Sequence, residues 1–249
     1  MQKHPYFSKN SVALFAHRGF VPPTENTIEA FQNAIRCGAE YIETDVRCTK
    51  DGQAVLFHDD DLKRLAKSDE KVSSINLAEF RELKFPKGGT PTTLEDALVQ
   101  LPNVKFNLDI KDPLAVIPAV RIIEQLGAHN RVLISSFSEK TRKKALSLLT
   151  KKVATSTSAP LVLKVRLRAL FGLEISTILD GIGAVQVPPS MYGIRFDTKR
   201  FIKQILKTGT QIHFWTINSE KQIRRLVALG ANGIVTDNTE LAGIILRKP

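Results

Sequence analysis

The chain has 249 residues, of which 43% are hydrophobic and 24% charged, a globular composition whose length suits one α/β barrel or two smaller domains. Lys and Arg number 36 against 25 Asp and Glu, a net charge of +11, which favours anionic partners: phosphate substrates, acidic membrane surfaces or nucleic acid. No apolar run is long enough to span a bilayer, Met1 to Tyr6 hold no apolar signal core, and Cys37 and Cys48 form neither a metal-type spacing nor a disulfide framework; the expectation is a cytoplasmic protein with reduced thiols.

Strand-like and helix-like patterns alternate from end to end. The short apolar run Val12 to Phe15 leads into Ala16-His17-Arg18-Gly19-Phe20, followed by Pro22-Pro23-Thr24-Glu25-Asn26-Thr27. An imidazole and a guanidinium then stand side by side at a strand's C-terminal tip, where α/β sheets and barrels place their chemistry. Arg18 suits a phosphate because its planar fork donates two parallel hydrogen bonds. Gly19 leaves room for the backbone to turn and for a ligand to approach. Apolar residues at 28, 30, 31, 34 and 35 give Thr27 to Cys37 a helical period, stopped by Gly38. Tyr41 to Val46 is the second strand; Asp51-Gly52 makes a hairpin turn, and the returning strand, Ala54 to Phe57, delivers His58. Residues 60–90 are charged and read as an excursion over the mouth, with a short helix at Leu77 to Leu83.

Thr93 and Asp96 open the next helix. Strands then follow at Val104 to Ile110, Arg131 to Ser135, Val153 to Ser156, Gly183 to Val187, Thr210 to Ile217 and Gly233 to Thr236. The helices between and after them are Pro113 to Leu126, Ser138 to Leu149, Thr198 to Lys207, Ser219 to Leu229 and Thr239 to Leu246. Eight strands alternating with helices, without a linker and without a Gly-x-Gly-x-x-Gly after a strand, predict an α/β fold: one TIM (β/α)8 barrel domain over 1–249.

Glu43 and Asp45 sit two apart on the second strand, so they share a face with Tyr41 while Ile42, Thr44 and Val46 face the other way. Two carboxylates on a barrel's inner face are costly unless a positive group joins them. A divalent cation would do so, since oxygen ligands suit Mg²⁺ or Ca²⁺; a bridging Lys or Arg is the alternative. On the next strand Phe106, Leu108 and Ile110 make an apolar face and Asn107, Asp109 and Lys111 a polar one. Asp109 is therefore a third candidate ligand, and Lys111 a candidate phosphate contact or salt-bridge partner. His17 and His58 bring two imidazoles to one mouth, one to take a proton from a nucleophile and one to give a proton to a leaving alkoxide. His4 and His129 fall outside this pattern and are expected at the surface, and nothing in the sequence gives His213 a role.

His17-Arg18-Gly19, Pro23-x-Glu25-Asn26-Thr27, Ala30-Phe31, Gly38-Ala39, Ile42-Glu43-x-Asp45-Val46 and Thr49-x-Asp51-Gly52-x-x-Val55-x-x-His58-Asp59 resemble the glycerophosphodiester phosphodiesterase family in order and spacing. Asp109-Ile110-Lys111, Trp215-Thr216-Ile217-Asn218 and Gly230 to Asp237 continue the resemblance over nearly the whole chain. It implies a metal-dependent TIM-barrel hydrolase that cleaves glycerophosphodiesters to an alcohol and glycerol 3-phosphate. By position, Glu43, Asp45 and Asp109 would bind the metal, and His17 and His58 would be the acid–base pair. Arg18 and Lys111 would hold the phosphate, and Trp215 would line the pocket. The family usually carries Glu at the position of Asp109, so this ligand arm is one methylene shorter; it often carries Pro at the position of Thr239.

Lysophospholipids are the alternative substrate, as expected of related lysophospholipase D and sphingomyelinase D barrels. Pro160 to Leu173 is apolar and basic, with no acid until Glu174. It fits a contact with an anionic membrane through Lys164, Arg166 and Arg168, or a barrel helix with its cations in solvent. A non-catalytic anion-binding barrel would require lost ligands or histidines, and none is lost. No nucleic-acid partner is expected, since no recognised motif is present and few aromatics interleave the basic residues.

Overall fold

The period-two runs become strands and the 3.6-period runs become helices, and the eight barrel strands alternate with helices, apart from the hairpin at 41–56, the run of helices at 63–100 and the short hairpin at 190–195. In chain order they are β1 (Ala13–His17), α1 (Ile28–Arg36), β2 (Tyr41–Cys48), β3 (Ala54–Leu56), α2 (Lys63–Ala66), α3 (Leu77–Arg81) and α4 (Leu94–Gln100). Then come β4 (Lys105–Ile110), α5 (Val116–Gln125), β5 (Val132–Ser135), α6 (Glu139–Leu148), β6 (Ala154–Thr155), α7 (Ala159–Leu170) and β7 (Ala184–Val187). The chain closes with β8 (Ser190–Met191), β9 (Ile194–Arg195), α8 (Lys199–Lys207), β10 (Gln211–Phe214), α9 (Glu220–Ala228), β11 (Gly233–Thr236) and α10 (Thr239–Arg247). The computed structural model describes residues 4–7, 12–21 and 23–247; Pro22 of the opening motif lies outside them.

Neighbouring strands pair in the order β6-β5-β4-β2-β1-β11-β10-β7, all parallel. The two ends meet through a parallel bridge from Ser156 to Ala184, and the Gly183 amide donates to the Thr155 carbonyl at 3.0 Å. The result is the expected TIM (β/α)8 barrel. β3 pairs antiparallel with β2, completing the Asp51-Gly52 hairpin. The outward faces of the strands (Ile42, Val46, Phe106, Leu108, Ile110) join the helices in one apolar layer. Thr93 caps α4 as read from the sequence, accepting from the Asp96 amide while Asp96 returns a bond to the cap.

The barrel interior changes character along its axis. Its lower half is apolar, with Phe15, Tyr41, Leu133 and Val235 packed on Tyr6 and Phe7 from the N-terminal segment. Tyr41 donates to the Tyr6 carbonyl at 2.8 Å. Gly183 makes room for this plug, since a Cβ there would lie 2.2 Å from the Phe7 ring. His213 lies in the same interior, fully buried against Phe15, and burial lowers its pKa to about 3, so it is a neutral core residue. His129, expected at the surface, is instead buried, because the turn between α5 and β5 tucks it inward with Nε2 3.1 Å from Glu124. His4 is half-buried, 3.2 Å from the Lys152 carbonyl.

Gly19 serves packing rather than ligand approach. Its φ is +93°, and a Cβ would lie 2.7 Å from the Ala30 Cβ and 2.8 Å from the Ala30 carbonyl carbon on α1. Gly19→Ala therefore both strains the backbone and pushes α1 off the barrel. It is expected to cost about 1–3 kcal/mol, read as a lower urea midpoint with an unchanged slope; an unmoved midpoint would show that α1 yields freely.

Candidate active site

Strand register assembles the site. β1 sets His17 beside Glu43, and β2 and β4 set Glu43 beside Asn107 and Asp45 beside Asp109. These side chains point into the barrel at the C-terminal ends of the strands. There an open cleft of about 900 Å³ is lined by all eight residues singled out in the sequence: His17, Arg18, Glu43, Asp45, His58, Asp109, Lys111 and Trp215. Asn107, Ser135 and Gln186 add neutral polar groups, and Phe137, Val162, Pro188, Met191 and Trp215 form an apolar wall. None of residues 60–90 lines the cleft; the excursion packs Leu62, Val72, Ile75 and Phe80 onto β3 and braces the rim.

Lys111 and Arg18 hold the floor together. Lys111 Nζ lies 2.9 Å from Asp45 and 2.6 Å from Asp109, and Arg18 Nε lies 3.1 Å from Asp45. Burial pushes the Asp45 carboxyl up, but Lys111 and Arg18 outweigh it and hold it below the usual range. Asp109 has the lysine alone, and burial wins, raising its pKa. Lys111 therefore makes the carboxylate salt bridge weighed for it from the sequence, whereas among the described residues no Lys or Arg bridges Glu43 to Asp45. Glu43 is different. It is half-buried, its inward Oε2 is buried without a hydrogen-bond donor, and His17 Nε2 is 3.8 Å away. Burial and the neighbouring Asp45 raise its pKa to about 7.

Both histidines are oriented by a carboxylate. His17 Nδ1 donates to Asp237 at 2.6 Å, and Asp237 is held in turn by Asn218 at 2.7 Å. Burial opposes the charged imidazole, but Asp237 and Glu43 prevail and raise the His17 pKa. His58 Nδ1 donates to Asp59 at 2.7 Å. A carboxylate only accepts, so in each ring the proton on Nδ1 is fixed and Nε2 is left for chemistry. Arg64 of α2 donates to Asp59 at 2.6 Å and to both oxygens of Glu25 at 2.7 and 2.9 Å. Glu25 accepts from Arg18 at 3.1 Å, which links the His58 support to the floor.

Asp237, Asn218, Asp59, Arg64 and Glu25 carry no role in the sequence reading. Asp237 had a signal: Gly233, Val235 and Asp237 alternate inward along β11 and past its end. Arg64 had none, because its partners lie across a loop.

The donor chemistry fits a hard divalent cation. Three carboxylates face one cleft, and one of them, Glu43, has a buried oxygen without a partner. Among the described residues no three His, Cys, Asp or Glu side chains converge as a preformed cage, and Lys111 stands between Asp45 and Asp109.

A parallel barrel with oriented imidazoles above a floor of carboxylates, Lys and Arg defines an enzyme for an anionic substrate. Residues 16–241 match the model of the glycerophosphoryl diester phosphodiesterase family, and the chain belongs to that family. A Mycobacterium tuberculosis protein named "probable glycerophosphodiester phosphodiesterase 2" is 37% identical over 235 residues, covering 93% of this chain and 89% of that protein. The Thermotoga maritima glycerophosphodiester phosphodiesterase superposes with a TM-score of 0.73 at 26% identity, covering 94% of this chain and 98% of that one. An Oleispira antarctica phosphodiesterase in complex with the product sn-glycerol-3-phosphate superposes at 0.78 with 21% identity, covering 96% and 98%.

Proposed function

We propose that the protein hydrolyses glycerophosphodiesters to an alcohol and glycerol 3-phosphate, with His17 and His58 transferring the protons. The observation that carries this reading is the pair of imidazoles, each pinned at Nδ1 by its own carboxylate, in a cleft floored by Lys111 and Arg18. Lys111 and Arg18 hold the phosphate and place fixed positive charge where the transition state gathers negative charge. One imidazole takes the proton of the nucleophile, which is water or the substrate's own glycerol hydroxyl; by the second route a cyclic phosphate forms first and water then opens it to glycerol 3-phosphate. The other gives a proton to the departing oxygen. Glu43, Asp45 and Asp109 would hold Mg²⁺ or Ca²⁺. When bound, that cation supplies Lewis-acid polarisation of a phosphate oxygen. Trp215 meets Phe137 edge to face at 6.0 Å and closes the apolar side of the cleft.

Glycerophosphocholine incubated with the protein and Mg²⁺ or Ca²⁺ is expected to release choline and glycerol 3-phosphate. Release of phosphocholine and glycerol would place the cut on the other side of phosphorus and overturn the reading. The apolar wall supports a second substrate, a lysophospholipid cut in the same sense. A higher kcat/KM for lysophosphatidylcholine than for glycerophosphocholine would favour it. The two unpaired cysteines accord with a reducing compartment, the cytoplasm.

A further inference from the structure

Helix α7 is a barrel helix whose outer face is apolar where a solvated helix would be polar. Val162, Val165 and Ala169 are buried against the barrel. On the opposite face Leu163, Leu167 and Leu170, spaced by four and three, are 47%, 48% and 51% exposed, and the following turn adds Phe171 at 74% and Leu173 at 51%. Five large exposed apolar side chains within eleven residues form a patch rather than the scattered singles normal on a surface.

Cations surround the patch. From Lys140 to Leu173 the sequence has no acidic residue. Lys140, Lys143 and Lys144 are exposed on α6, Lys164 on α7, and Lys199, Arg200, Lys203 and Lys207 on α8. These two helices pack on either side of α7, and Arg200 donates to the Leu170 carbonyl at 3.3 Å, which sets a guanidinium beside the patch. Arg166 and Arg168, expected at the headgroups, are turned to the protein instead. Arg166 donates to the Arg195 carbonyl at 3.0 Å and covers the Phe201 ring, and Arg168 donates to the Glu174 carbonyl at 2.7 Å.

We propose that the outer face of α7 and its C-terminal turn, flanked by the lysines of α6 and α8, docks on an anionic lipid bilayer. Leucines and a phenylalanine entering the acyl boundary, with a predominantly basic rim at the headgroup level that Glu139 and Glu174 interrupt at its edges, is the pattern of an interfacial helix. A second copy of the chain is disfavoured as occupant, since it would bring the same cations face to face. Ala159 and Val162 in the first turn of α7 also line the cleft, so docking sets the cleft's apolar edge close to the surface. The inference does not depend on which diester is cleaved.

Co-sedimentation with phosphatidylcholine vesicles, with and without phosphatidylglycerol, tests it. Binding is expected only with phosphatidylglycerol, and to weaken about tenfold or more from low to high salt. Leu167→Ser with Phe171→Ser, and separately Lys143→Glu with Lys203→Glu, should each lower the partition about tenfold while leaving turnover of soluble glycerophosphocholine unchanged. Lys84→Glu with Lys87→Glu, in the exposed segment before α4, should bind as wild type. Absent binding, equal binding to both vesicle types, or equal loss in the control pair would overturn the proposal. So would a dimer in gel filtration abolished by the Leu167→Ser and Phe171→Ser pair, which would give the face to a second copy.

Discussion

His17→Ala and His58→Ala are each expected to lower kcat about 10²–10⁴-fold, the range for losing a positioned acid or base. The folds of both variants should survive, because each ring lies at the rim, where its loss opens onto the cleft. KM should change little, since Lys111 and Arg18 remain to hold the phosphate. The double variant should fall little below the worse single one, because two groups that share one proton-transfer step do not contribute independently. Asp237→Asn should give a smaller loss by freeing the His17 ring, whose Nδ1 it holds at 2.6 Å. Single-turnover measurements with glycerophosphocholine decide it. A near-normal kcat in either alanine variant would reduce that histidine to a structural role, and fully multiplying losses would separate the two rings into different steps.

The barrel and its polar mouth were legible because both follow from local periodicity. Alternation along β2 placed Glu43 and Asp45 on one face, and alternation along β4 did the same for Asn107, Asp109 and Lys111. Parallel register then brings those faces together without further information. Caps were equally local: Thr93, Thr198 and Ser219 each start a helix where their hydroxyls predict one. What the sequence did not disclose depends on partners far along the chain. His17 meets Asp237 across 220 positions, and Arg64 meets Glu25 across 39. Tyr6 and Phe7 plug the barrel because Gly183 leaves a gap there, a complementarity visible only in three dimensions. The β8–β9 hairpin was missed for another reason: each strand has two residues, too short for any period. β10 ends at Phe214 rather than Ile217, because the ladder changes side. The Trp215 amide donates to Val187 of β7 at 3.2 Å, and the Ile217 amide to Val235 of β11 at 2.9 Å. Arg166 and Arg168 looked free because a linear pattern does not show the Arg195 and Glu174 carbonyls waiting for them.

Metal removal is expected to cost at least about 10³-fold in turnover, since a Lewis acid contributes several kcal/mol and each 1.4 kcal/mol is tenfold. Excess EDTA should abolish glycerophosphocholine hydrolysis, and Mg²⁺ or Ca²⁺ should restore it. Glu43 is the residue that calls for the cation. A carboxylate oxygen buried without any donor, as Glu43 Oε2 is, is costly in a protein interior. Lys111 and Arg18 already neutralise Asp45, and Lys111 neutralises Asp109, but neither cation pairs with Glu43. A divalent ion would supply the charge that Glu43 lacks while drawing on its two neighbours. Binding then stabilises the fold by mass action, so Mg²⁺ or Ca²⁺ should raise the Tm of the wild type, a readout that needs no turnover. Glu43→Gln removes the unpaired charge and keeps the volume. It should raise the Tm of the metal-free protein and lose most of the metal-induced increase. If EDTA leaves turnover intact and neither cation moves the Tm, the carboxylates serve only to position Lys111 and Arg18. In that case Glu43→Gln should leave kcat nearly unchanged, whereas Lys111→Met should still strand Asp109 in the interior, leave Asp45 to Arg18 alone and destabilise the barrel by about 3–5 kcal/mol.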